Sequence, residues 1–142
     1  MTDQTPADLP ADFPAGEPAI RITAMPADAN PAGDIFGGWL MAQMDMAAGI
    51  TAARHCQGRA ATIAVEGMKF EKPVHIGDEV SVYAALASVG RTSMVIDVQS
   101  WRRPRTGYER ERVTEARFIF VAIDDDRRPR PVPALPQSTL GV

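Results

Sequence analysis

The stretch from Ile35 to Ala53 restricts the fold of this chain more than any other. It reads IFGGWLMAQMDMAAGITAA, and Asp45 is its only ionisable side chain. Apolar residues recur at helical spacing at Phe36, Leu40, Met44, Ala47 and Ala48, which predicts a helix that begins near Gly37 or Gly38 and ends near His55. Such a helix must be buried in protein. Because buried acids are rare unless they are paired or used, Asp45 either bonds neighbouring groups or has a function.

Membrane insertion of this helix is not expected. Its apolar residues are mostly alanine and methionine, and Gln43, Asp45 and Gly49 interrupt them. A carboxylate at the bilayer centre costs roughly 2.5–3.5 kcal/mol on insertion scales, which alanine would not offset. The first 18 residues carry acids and prolines rather than a secretory signal, and the lone Cys56 fits a reducing compartment, so a cytoplasmic location is expected.

Several function classes lack support in the sequence. The net charge of −3 leaves no basic surplus for a nucleic-acid backbone. There is no C-x-x-C or HExxH motif, so no metal is expected, and no P-loop or G-x-G-x-x-G motif is present. Cys56 could be a catalytic thiol, but His55 beside it would point in another direction on a helix. A small buried hydrophobic residue is the favoured interpretation of Cys56.

The rest of the chain alternates with a period of about two residues. This pattern predicts one strand before the helix and four after it, at 19–24, 61–70, 80–89, 94–101 and 113–123. Short turns join most of the later strands, which makes neighbours antiparallel. The expected fold is α+β: an antiparallel sheet of about five strands wrapped around one long apolar helix.

Proline marks the two ends of the chain. Eight of the twelve prolines lie within residues 1–18 and 127–142. We therefore expect a flexible proline-rich segment at 1–18, a folded domain at 19–126, and a poorly packed proline- and arginine-rich tail at 127–142.

The run MPADANPAGDIFGGWLMAQMDMAAGI at residues 25–50 resembles the acyl-CoA thioesterases of the hotdog fold, and most closely the YciA-like group. The resemblance continues through TIAVEGMKFEKPVHIGDEV at 62–80, VGRTSM at 89–94 and VTEARFIFVAID at 113–124. It covers roughly residues 20–130. It implies a hotdog domain that hydrolyses acyl-CoA to free acid and CoA.

The resemblance also implies roles for four residues. Asp45 matches the catalytic carboxylate, acting as general base or as nucleophile, and Asn30 of the opposite subunit would orient the water or the carbonyl. Without the resemblance, Asn30 would be an ordinary turn residue before Pro31. Amides of Gly37 and Gly38 at the helix start would hold the thioester carbonyl.

The implied active unit is a homodimer, and the implied assembly is a hexamer, a trimer of dimers. The helix geometry agrees with a shared site. Asp45 lies roughly 10 Å along the helix axis from the glycine pair, too far to serve the same carbonyl easily within one chain. A two-fold dimer would supply the missing neighbour and create two equal sites.

CoA is expected as part of substrate and product, with no separate cofactor. Its phosphates would meet Arg91, Thr92 and Ser93 of the GRTS turn, with Lys69, Arg127 and Arg128 as further candidates. The alternative is an ordinary hairpin turn and a solvated tail. Two other functions stay open: a non-catalytic acyl-CoA-binding hotdog protein, and a hotdog hydratase or dehydratase. The latter chemistry usually needs a histidine beside an acid, which the sequence does not offer in a suitable motif.

Overall fold

The computed structural model describes residues 9–135, which form five strands and one long helix. A short 3-10 turn at Pro26–Asp28 precedes the helix. The elements in chain order are β1 (Ile20–Thr23), α1 (Gly37–Cys56), β2 (Ala60–Phe70), β3 (Glu79–Val89), β4 (Ser93–Arg103) and β5 (Glu111–Ala122).

All five strands belong to one sheet in the order β1-β3-β4-β5-β2, and every neighbouring pair is antiparallel. The helix lies against one face of this sheet and contacts β2, β3, β4 and β5. The predicted hotdog architecture is confirmed. β2 is an edge strand of eleven residues, so one side of its backbone has no neighbour within the described chain.

The core lies between the helix and the inner face of the sheet. Small side chains on the helix, such as Ala47 and Ala48, let it approach the sheet closely, and Phe118 and Ile96 fill the facing side. Phe36 was expected to share the buried helical face, but it is 43% exposed. The reason is local: Phe36 is the extended N-cap residue, with φ −78° and ψ 149°, and so precedes the first helical turn.

The helix begins and ends where the sequence predicts. Gly37 is its first residue, and the ring of Phe70 would lie only 3.0 Å from a Cβ at that position, so glycine lets the ring approach the helix start without shifting. At the other end, Gln57 adopts the left-handed region with φ 53°, and its N–H donates to the carbonyl of Ala53.

The described parts of both terminal segments pack on the domain, which differs from the expectation of poorly packed ends. Phe13 lies edge-on against Tyr83 and Trp101, with ring centroids 5.4 and 5.0 Å away. Beyond β5, Val132 packs against the core and its N–H donates to the carbonyl of Arg91 at 2.9 Å. Phe13 and Val132 explain this packing, since each covers an apolar surface of the domain.

Candidate active site

Asp45 lies on the side of α1 that faces β2, and its carboxylate is half-buried. The hydroxyl of Thr62, on β2, donates a 2.6 Å hydrogen bond to its Oδ1. Among residues 9–135, no cation pairs with Asp45 and nothing bonds its second oxygen. The acid is therefore held by one neutral donor and keeps a free oxygen.

The Asp45 carboxylate opens into a groove of about 350 Å³ between α1 and β2. Asp45 and Thr62 supply the polar side chains of this groove. Gly38 lies on the same helix face seven residues earlier, roughly 10 Å along the axis. The remaining lining is apolar and comes from Met41, Ala42, Val65 and Phe118.

The start of α1 is uncapped. Phe36 provides no side-chain cap, and the amides of Gly37 and Gly38 make no hydrogen bond within the described chain. Free amides at a helix start carry partial positive charge and suit a developing oxyanion. An apolar cleft of about 250 Å³ adjoins this point and is lined in part by Gly37, Leu40 and Phe70.

Asn30 organises the loop that leads into the helix. Its Oδ1 accepts hydrogen bonds from the amides of Ala32 and Asp34, at 2.9 and 3.1 Å. Asn30 is therefore a turn residue, as one interpretation predicted, and of its side-chain polar groups only the NH₂ remains available for a ligand. Asn30 does not line the groove that holds Asp45 within one chain.

Five of the six candidate CoA-binding residues lie at one end of the sheet. Residues 91–93 form the turn from β3 into β4, and residues 127–128 lie in the turn after β5. These turns are neighbours because Ser93 pairs with Val121 near the end of β5. Lys69 is not with them: it pairs with Glu115, six residues or roughly 20 Å back along β5.

Sequence reasoning missed Thr62 and two arginines at that end, Arg54 and Arg59, and it included Arg130 only as part of the basic RRPRP cluster at 127–131. Thr62 was detectable as a polar residue on the inward-facing side of a predicted strand. Arg54, Arg59 and Arg130 flank the end of α1 and the segment after β5. We call the six arginines at this end the basic end; they are Arg54, Arg59, Arg91, Arg127, Arg128 and Arg130.

A histidine does lie beside an acid elsewhere: Nδ1 of His75 is 3.4 Å from the carboxylate of Asp34. Both side chains are exposed, and neither lines the groove that contains Asp45. Within residues 9–135, no group of three or more histidine, cysteine, aspartate or glutamate side chains is placed to hold a metal ion. No helix in the described range is long and apolar enough to span a bilayer.

Comparison with known proteins gives consistent matches. The thioesterase superfamily matches residues 32–108. An uncharacterized acyl-CoA thioester hydrolase of Zymomonas mobilis is 53% identical over 127 residues, covering 89% of this chain and 85% of that protein. The acyl-CoA thioester hydrolase YciA of Salmonella typhimurium is 47% identical over 123 residues, or 84% of this chain and 92% of that protein.

Solved structures are similar over the same region. A hexameric thioesterase from Yersinia pestis superimposes with a TM-score of 0.82 at 47% identity, covering 87% of this chain and 100% of that one. An aspartate-to-alanine variant of a hexameric, broad-specificity acyl-coenzyme A thioesterase gives 0.80 at 45% identity, covering 83% and 87%.

Proposed function

The chain belongs to the thioesterase superfamily and is an acyl-CoA thioester hydrolase, and we propose that Asp45 is its catalytic carboxylate. One observation carries the assignment of Asp45: its carboxylate lies in an open apolar groove, bonded to the hydroxyl of Thr62 and to no cation of the described chain. A carboxylate used only for stability would be expected to have a cationic partner or several donors.

The free oxygen of Asp45 is the reacting atom in this proposal, and Thr62 is a positioning residue that holds the other oxygen. Acting as general base, Asp45 takes a proton from water, and the hydroxide attacks the thioester carbonyl carbon. The C–S bond then breaks, and the CoA thiolate takes the proton from Asp45. Acting as nucleophile, Asp45 displaces CoA and forms an anhydride that water cleaves.

The thioester oxygen is proposed to rest on the amides of Gly37 and Gly38, where negative charge develops as the carbonyl is attacked. The side-chain NH₂ of Asn30 would donate to the same oxygen or to the water. The apolar cleft beside Gly37 and Phe70 offers a place for the acyl chain. The proposed reaction uses only side chains, backbone amides and water, so it needs no separate cofactor. CoA enters as part of the substrate and leaves as product.

A two-fold dimer through β2 would complete this site. β2 is an edge strand, and exposed apolar side chains surround it, including Ile63 at 61%, Phe70 at 52% and Met46 at 51%. Such an edge is a liability unless it is paired. Antiparallel pairing of two β2 strands about an axis near Glu66 would set Thr62 of one chain opposite Phe70 of the other.

This pairing would bring Asp45 of one subunit, which is bonded to Thr62, to the helix start of its partner, where Phe70 packs on Gly37. The loop that contains Asn30 runs directly into that helix start, so Asn30 would accompany Gly37. The similar solved structures are described as hexameric, and we propose a trimer of such dimers for this chain. Its single cysteine favours a cytoplasmic location.

The first experiment is thiol release from a panel of acyl-CoAs by the full chain and by Asp45→Asn. We expect kcat to fall by about 10³-fold, a typical loss for a removed general base, with unchanged melting temperature and oligomer size. Asp97→Asn is the matched control, because Asp97 is an exposed acid on the outer face of β4. Turnover of Asp45→Asn at the wild-type rate would reject the assignment.

A mixing experiment tests the shared site. Chains carrying Asn30→Ala and Asp45→Ala are expected to be inactive alone. After subunit exchange, each mixed dimer would hold one site with both residues intact, so about a quarter of wild-type activity should return. Exchange demonstrated by mass spectrometry without any recovery would place both residues in the same subunit or remove one of them from the site.

A further inference from the structure

Residues 128–133, here called the C-terminal strap, connect the end of the helix to the GRTS turn. The N–H of Val132 donates to the carbonyl of Arg91 at 2.9 Å, and the N–H of Arg130 donates to Ala122 at 3.0 Å. At its far end, the carbonyl of Pro133 lies 2.8 Å from Nε2 of His55. The strap therefore bonds both α1 and the turn that carries Arg91.

Arg130 fastens the strap through its side chain. Its Nε donates to the carbonyl of Ile123 at 3.0 Å, and its Nη2 donates to Sγ of Cys56 at 3.4 Å. The guanidinium lies so close to Gly58 that a Cβ at that position would collide with it. Arg130 thus fixes the strap at the end of α1. Val132, which bonds the carbonyl of Arg91, follows only two residues later.

The acceptors of Arg130 are neutral, and within residues 9–135 no carboxylate pairs with it. A half-buried cation without a counter-ion is costly to keep in a role that only packing requires. Its full positive charge instead adds to the potential of the basic end, where an anionic ligand would be held.

We infer that Arg130 is a positioning residue for CoA binding, which it serves by seating the strap that fixes the backbone of Arg91. This inference rests on the proposed function, because Arg91 is the proposed ligand of the CoA phosphates. Release of the strap would remove the bond from Val132 to Arg91 and weaken the grip on the nucleotide end of the substrate. It would leave Asp45 and the helix start unchanged.

The test compares an acyl-CoA with the corresponding acyl-pantetheine, which lacks the nucleotide. For Arg130→Met we expect KM for acyl-CoA to rise about tenfold, with kcat and the acyl-pantetheine KM within about twofold of wild type. Arg130→Lys keeps the charge but cannot make both bonds, and should behave alike. Gly58→Ala should give the same split with Arg130 intact, because the new methyl displaces the guanidinium. Arg105→Met, in the loop at the opposite end of the sheet, is the matched control.

A lower melting temperature with unchanged KM for both substrates would show that the strap is only structural and would overturn the inference. An equal rise of both KM values would do the same, since the nucleotide would then not be involved. If Arg130→Lys kept the wild-type KM for acyl-CoA, only the charge of Arg130 would matter. The inference that its bonds hold the strap in place would then be overturned. If the wild-type chain released no thiol from any acyl-CoA, the proposed hydrolysis would fail by itself. Calorimetric titration with CoA and with pantetheine would then decide the inference separately.

Discussion

Both ends of the sheet carry arginines, but the arginines pair with carboxylates at one end and not at the other. At the end that includes the β4–β5 loop, Arg102 bonds Asp78 and Glu111, and Arg103 lies 2.9 Å from Glu79. At the basic end, none of the six arginines forms an ion pair with a carboxylate within residues 9–135. Asp124, in the turn that contains Arg127, instead accepts hydrogen bonds from the backbone amides of Asp126 and Arg128.

The contrast separates arginines whose charge is paired with carboxylates of the fold from arginines whose charge has no carboxylate partner within residues 9–135. Burial alone would lower the pKa of Arg102, but its hydrogen bonds with Asp78 and Glu111 raise the pKa above its ordinary value. The charge of Arg102 is therefore balanced by Asp78 and Glu111 within the fold. Unpaired arginines repel one another and gain most when a polyanion such as the CoA nucleotide binds among them.

The largest effect is expected at the paired end. Asp78→Ala should lower the free energy of unfolding by about 3 kcal/mol, because it leaves the largely buried Arg102 with one partner and removes the acceptor for the N–H of His75. Thermal and urea unfolding would measure this loss, while kcat per folded molecule should not change. Asp97→Ala is the control: it breaks the exposed pair with Arg117 and should cost less than about 1 kcal/mol. Equal losses for both variants would contradict the distinction between the two ends.

At the basic end the expected order is reversed. Arg91→Ala should raise KM for acyl-CoA about tenfold, since a charge-assisted contact to phosphate is lost, while the unfolding free energy stays within about 0.5 kcal/mol. Steady-state kinetics at low and at high salt would measure it, and the wild-type KM should rise with ionic strength. An unchanged KM for Arg91→Ala would remove this residue from the site.

The fold could be predicted closely because periodicity reports it directly. The change from a helical period to a period of about two residues after Gly58 located β2, and the single acid in an apolar helix indicated Asp45 as a candidate site residue. Phe36 was placed wrongly because helical spacing extends one residue beyond the turn that actually begins the helix.

The site was less accessible because it depends on neighbours distant in sequence. Thr62 joins Asp45 only through the packing of β2 on α1. Arg130 reaches Cys56 across 74 positions, and no local pattern reports that contact. Lys69 carries the right charge for a phosphate, but the register of β2 on β5 places it away from Arg91 in the same chain.

The smallest predicted effect concerns Arg127, which holds a left-handed backbone with φ 63° in the turn after β5. That conformation costs an arginine about 1 kcal/mol more than it costs glycine, and asparagine tolerates it better. Arg127→Asn should therefore stabilise the chain by a few tenths of a kcal/mol while raising KM for acyl-CoA about twofold, as expected for one exposed charge. Arg127→Lys, which keeps both charge and strain, should change neither quantity. Higher stability with an unaltered KM would show that Arg127 is a strained turn residue without a role in binding, and the unpaired charge of the basic end would then lie with its other five arginines.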